Sequence, residues 1–102
     1  MSLLGKKSYA SEQATVDGSA RTLTTATVDN SANYPDFKAS GVMLQPSVAI
    51  YYTMDGTTPS SSNGLALAAS QNLEIVGYQN VKKFSWIQSS GSGVLNVQYF
   101  KE

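Results

Sequence analysis

The sequence predicts an all-β fold, a small antiparallel β-sandwich or jelly-roll-like barrel with an extended amino-terminal arm. Three observations lead there. Apolar residues alternate at period two in segments 48–54, 81–88 and 94–101, the spacing that turns one face of a strand to a core. Clusters of Gly, Pro, Asn, Asp and Ser separate these segments at short intervals, as in sandwiches and barrels. No stretch holds a helical period over three turns, and no repeat of the solenoid or propeller kind is present.

Residues 1–13, with Gly5, Lys6 and Lys7 and no sustained period, read as an arm or short edge strand, leaving 14–102 as a single β-sandwich domain. Segments 14–16 and 21–28 are rich in Thr and β-branched residues around the turn Asp17-Gly18-Ser19, which predicts a hairpin or two short strands. Residues 29–36 are dominated by turn formers and include Pro35, so they form a surface connection with Tyr34 and Phe37 tucked beneath it. Strand 41–45 then turns at Pro46-Ser47 into the strand starting at Val48, and the two are expected to pair antiparallel.

That second strand is the best defined of all. Val48, Ile50, Tyr52 and Met54 share one face and Ala49, Tyr51 and Thr53 the other, and Asp55-Gly56 ends the run. Gly56 permits positive φ, Pro59 has no amide for a ladder, and Asp55 is expected to accept backbone amides in the loop. Leu65-Ala66-Leu67 follows, then a turn at Ser70-Gln71-Asn72 and a strand 73–76 with Leu73 and Ile75 inward and Glu74 outward. Residues 77–80 read as a turn and 81–88 as a strand with Phe84 and Trp86 on one face. The glycines of 89–93 make a hairpin tip, and 94–101 closes the fold with Leu95, Val97 and Tyr99 inward.

Composition narrows the chemistry. With 102 residues the chain fits one core, which buries roughly two-thirds of the unfolded surface. Seven basic and seven acidic residues cancel and are scattered along the sequence, so no field draws nucleic acid or an anionic membrane. The absence of Cys removes disulfides and thiolate metal sites, and the absence of His removes the commonest general base and metal ligand. Neither a metal nor a cofactor is expected. The apolar runs are too short to span a membrane and the start lacks a signal-peptide pattern, which predicts a soluble protein made in the cytoplasm. Asp55 is the one carboxylate in its loop, too few for a calcium site, and no two acids are paired by the sequence for acid–base work. Lys82-Lys83 reads as a solvated strand edge, and Tyr51, Tyr52, Tyr78, Phe84 and Trp86 as core and interface packing rather than a stacking platform. Ser, Thr, Asn, Gln and Gly are abundant, a surface with few charges to repel a like neighbour.

The order of segments Ile50-Tyr51-Tyr52-Thr53-Met54-Asp55-Gly56-Thr57-Thr58-Pro59, Asn63-Gly64-Leu65, Leu73-Glu74-Ile75, Phe84-Ser85-Trp86-Ile87, Gly91 and Leu95-Asn96-Val97-Gln98-Tyr99-Phe100 resembles small β-domain virion proteins of tailed bacteriophages. The resemblance covers 41–101 and departs from that pattern at Ser70-Gln71-Asn72, where a Gly-Asp pair is expected. It implies a non-enzymatic, multi-copy part of the virion, first a capsid decoration or cement protein bound to the major capsid protein, second a neck or tail component. A homo-oligomer is implied, with no nucleic acid and no membrane as partner. On this reading Leu3, Leu4 and Tyr9 of the arm and Tyr34 and Phe37 of the long loop make the protein contacts, while Asp55, Gly56 and Pro59 shape a structural loop. Deleting residues 1–12 is then expected to leave the fold intact and remove particle binding. The ten residues from Ile50 to Pro59 are also similar to a strand and loop in chitobiase-type carbohydrate-binding accessory sandwiches, which implies glycan binding as the alternative.

Overall fold

Among the described residues eight strands and two short helices follow one another: β1 (Lys7–Val16), β2 (Arg21–Thr22), α1 (Thr25–Val28), β3 (Gly41–Pro46), β4 (Ile50–Thr53), β5 (Leu65–Leu67), β6 (Leu73–Val76), α2 (Tyr78–Lys82), β7 (Ser85–Gln88) and β8 (Gly93–Lys101). The computed structural model describes residues 3, 5–29 and 38–102. Two antiparallel sheets of four strands, ordered β1-β8-β3-β6 and β2-β7-β4-β5, face each other as a sandwich. They remain two sheets and do not close into the barrel that was the sequence's other option.

The alternation seen in the sequence builds this core. Leu95, Val97 and Tyr99 of β8 are buried while Asn96 and Gln98 between them are exposed. They pack with Val16, Val42, Leu44 and Ile75 of the same sheet against Ile50, Tyr52, Leu67 and Trp86 of the other, and Phe84 joins them just before β7. Each such side chain contributes about 1.5–3 kcal/mol by leaving water. Tyr52, Phe84 and Trp86 form a tilted row with ring centroids 5.6 and 5.7 Å apart.

Several local expectations give way to tertiary packing. The boundary between arm and domain falls inside a strand: β1 runs to Val16 and pairs with β8 from Lys7↔Lys101 to Val16↔Gly93, with a bulge between Ser8 and Ala10. An arm over 7–13 would leave β8 with one flank unpaired, and the backbone of 7–16 supplies the missing ladder. Of segment 21–28 only Arg21–Thr22 is a strand. Thr25–Val28 is a helical turn, closed by the Val28 amide donating to the Thr24 carbonyl at 3.0 Å, which swings Val28 into the core. β-propensity loses here to burial of one side chain.

The expected hairpins at Pro46-Ser47 and at 89–93 do not form. β3 has both flanks occupied, by β8 and β6, so the chain crosses at Pro46-Ser47 into the other sheet, where β4 lies between β5 and β7. The Ser47 amide stays tied to the Val94 carbonyl at 2.8 Å. The glycine-rich stretch 89–93 likewise carries the chain from β7 in one sheet to β8 in the other. Finally, Gly77 at φ +105° starts α2 where a turn was expected, and the helix drives Val81 into the core.

Candidate interaction surface

Period two also defines what the first sheet shows to the outside. With Val42, Leu44, Leu95 and Val97 turned inward, the alternating residues Met43, Gln45, Asn96 and Gln98 face outward and continue onto Ser11 and Gln13 of β1. The register sets Gln13, Asn96 and Gln45 in one row and Ser11, Gln98, Met43 and Glu74 in the next. The first row extends to Asn72, whose side-chain oxygen accepts from Gln45 Nε2 at 3.0 Å. All of these except Glu74, together with Glu12, line a shallow depression of about 450 Å³. Glu74 is the sole ionised side chain in the two rows. A neutral amide both donates and accepts, and covering it costs far less desolvation than covering a charge.

Of the expected contact residues two are described, Leu3 and Tyr9, and neither lines this depression. Leu3 is buried, packed where a side chain on Gly41 would stand, so it closes its own domain and is not an open contact. Tyr9 is half-buried: its hydroxyl donates to the Thr27 carbonyl at 2.7 Å and its ring lies 6.0 Å from that of Tyr99. Burial, and secondarily the charge of Asp29, push the Tyr9 phenol up to about 12. The Tyr99 hydroxyl donates to the Glu12 carboxylate, whose other oxygen accepts from Thr24 Oγ1 at 2.8 Å. Burial and that bond to Glu12 raise Tyr99 as well. This group fastens β1 and α1 to β8. Leu4, Tyr34 and Phe37 lie outside the described residues.

The Asp55 loop is the turn the sequence predicts. Asp55 Oδ1 accepts from the Thr57 amide at 3.1 Å and from Thr57 Oγ1 at 2.6 Å, and these bonds hold its carboxyl below the usual range. Gly56 sits at φ +86° and Pro59 is buried. Asn63 Nδ2 donates to the Thr58 carbonyl at 2.9 Å, closing the loop from its far side. The loop thus spends its polar groups on itself. Among the described residues no three acidic side chains converge as metal ligands would.

The even scatter of charge along the sequence does not carry over to three dimensions. Lys6, Lys7, Lys38 and Lys101, four of the six lysines, border a single depression of about 570 Å³ with Ser40, Gly77 and Tyr78. Nothing in the linear order signals this, because Lys7 and Lys101 are brought together as register partners of β1 and β8 rather than through spacing.

Fold and surface together define an all-β sandwich with an amide-rich sheet face that carries few charges. Comparison of the chain with models of known protein families, with curated proteins and with solved structures found no match.

Proposed function

We propose that the chain is a non-enzymatic structural protein of a tailed-bacteriophage virion, most readily a decoration protein bound in many copies to the major capsid protein. A place in the neck or tail is the second option. The observation that carries the reading is the outer face of the first sheet, where Ser11, Gln13, Gln45, Asn96, Gln98 and Met43 stand in register. A rigid face of this kind lets identical copies approach one another or a shell without like-charge repulsion, and many weak contacts on a symmetric lattice add through multivalency. The segments that resemble phage virion proteins fall on β4, β5, β6, β7 and β8, which include three of the four central strands of the two sheets.

The test is to bring purified particles carrying the protein into contact with Asn96→Lys and Gln98→Glu variants. Both positions are exposed, so the fold is retained by circular dichroism, and occupancy on the particle drops. Full occupancy by both variants, or absence of the protein from purified particles by mass spectrometry, overturns the reading. Amides on a sheet face are also the chemistry that meets sugar hydroxyls. Retention on immobilised chitin that a soluble oligosaccharide competes away would replace the structural role with glycan binding.

A further inference from the structure

The lysine-bordered depression is a separate feature, on the end of the sandwich where β1 begins and β8 finishes. We infer that it is a binding site for a multiply charged phosphate group. Its side chains come from distant parts of the chain: Lys6 and Lys7 where β1 starts, Lys38 in the bridge to Asp29, Gly77 and Tyr78 where α2 starts, and Lys101 where β8 ends. A neutral molecule that gathers four of its six lysines around one hollow creates a local positive potential that its net charge conceals.

Among the described residues, four lysines and one acid, Glu102, line the hollow. Lys6 Nζ meets Glu102 Oε1 at 2.7 Å, and the Glu102 side chain, which also lines the hollow, is 83% exposed. Asp29 Oδ2 is engaged by the Tyr78 hydroxyl at 2.9 Å. Lys38 Nζ lies 4.2 Å from the centre of the Tyr78 ring, and Lys82 Nζ reaches the same ring at 5.8 Å. The ring therefore acts as a floor that holds ammonium groups beside the hollow without neutralising them.

Ammonium groups are compact point charges on flexible stems and suit a phosphate, whose oxygens are spread in several directions. Two sources carry the same chemistry, a free oligophosphate and the backbone of a nucleic acid. Neither depends on the outer sheet face, so this site and the structural role stand or fall separately.

The experiment is an amide-resolved NMR titration of the whole chain with inorganic tripolyphosphate, repeated with a short single-stranded DNA and with hexaglutamate. Tripolyphosphate is expected to shift the amides of Ala39, Ser40, Gly77 and Tyr78. Lys7→Gln with Lys38→Gln is expected to weaken binding by about tenfold or more, the scale of losing charge-assisted hydrogen bonds. Lys83→Gln, on a lysine outside the hollow, leaves it unchanged. Tighter binding of DNA than of tripolyphosphate assigns the source to nucleic acid, and the reverse order assigns it to a free oligophosphate. The inference is overturned by shifts spread away from the hollow, by equal loss in Lys83→Gln, or by hexaglutamate binding as tightly as tripolyphosphate.

Discussion

The indole N–H of Trp86 donates to the backbone carbonyl of Thr15 at 3.0 Å, a hydrogen bond that runs from β7 in one sheet to β1 in the other. Trp86 is 1% exposed, so its ring fills the space between the sheets while its one polar atom stitches them together. Trp86→Phe keeps an aromatic ring but gives up the bond and part of the volume. The expected loss is about 2–4 kcal/mol, combining the hydrogen bond and the cavity. Leu65→Ala, at the exposed large apolar side chain of β5, is expected to cost no more than about 0.5 kcal/mol. Urea unfolding of the two variants measures both, and a smaller loss for Trp86→Phe than for Leu65→Ala would contradict the role given to the indole.

Gly64 is held against the backbone of β4. Its φ is +139°, and a Cβ added there would lie 2.9 Å from the Tyr52 carbonyl oxygen. Neither strain nor collision can be relieved by rotating a side chain, so Gly64→Ala is expected to cost about 2–4 kcal/mol. Gly91 has nothing within 4 Å of its Cβ position and no positive φ, and Gly91→Ala is expected to be neutral or slightly stabilising. A thermal melt of each separates them.

How much of this was legible in the sequence depended on whether the deciding force was local. The inward set Leu95, Val97 and Tyr99 and the turn at Asp55-Gly56 were readable because period two and turn chemistry act over a few residues. Which strands pair was not. Pro46-Ser47 and the glycines of 89–93 look like hairpin tips, yet each connects strands in different sheets. That choice is made by competition for the flanks of β3 and β8 across long stretches of sequence. The lysine hollow was hidden for the same reason, and Tyr9 looked like an arm residue because its partners Thr27 and Tyr99 lie 18 and 90 positions away.

Acid should weaken the fold through two exposed turns. The Asp17 carboxyl is lowered chiefly by its bonds to Arg21, and the Asp55 carboxyl by its bonds to Thr57. A depressed folded value means that the stability each contributes is present above the unfolded pKa of about 3.9 and is lost as pH falls through the folded value. Asp17→Asn with Asp55→Asn is therefore expected to lower the urea midpoint at neutral pH, where the charged carboxyls contribute, and to flatten the acid limb of a plot of midpoint against pH, the two chains converging in acid. An unchanged acid limb would place the acid sensitivity in other carboxyls.

Alkali acts in the opposite sense. Tyr9 is raised to about 12, so the folded state favours its neutral form. The stability from this phenol is fully present below the unfolded value of about 10 and disappears as pH climbs from there towards the folded one. Tyr9→Phe removes the ionisation along with the bond to Thr27. It is expected to start less stable at neutral pH and to lose less on going to pH about 11. Phenolate absorbance in the wild-type chain checks the same point, because Tyr9 and Tyr99, both raised, should ionise only as the fold opens.

Removal of residues 1–12 tests the strand assignment of β1 directly. A free arm could be cut away with the domain intact, but residues 7–12 lie in β1 and occupy one flank of β8 from Lys101 to Val97. Their loss would strip the ladder beside Tyr99, take away Glu12 as the acceptor for its hydroxyl, and uncover a side chain that is 0% exposed. Exposing one buried aromatic side chain costs about 1.5–3 kcal/mol, and an unpaired stretch of β8 adds to it, against a total of about 5–15 kcal/mol for a domain of this size. The truncated chain is expected to lose near-ultraviolet circular dichroism and cooperative melting. Glu12→Gln, which keeps an acceptor oxygen and the whole of β1, should retain both, so a folded truncation mutant would return residues 7–12 to the status of an arm.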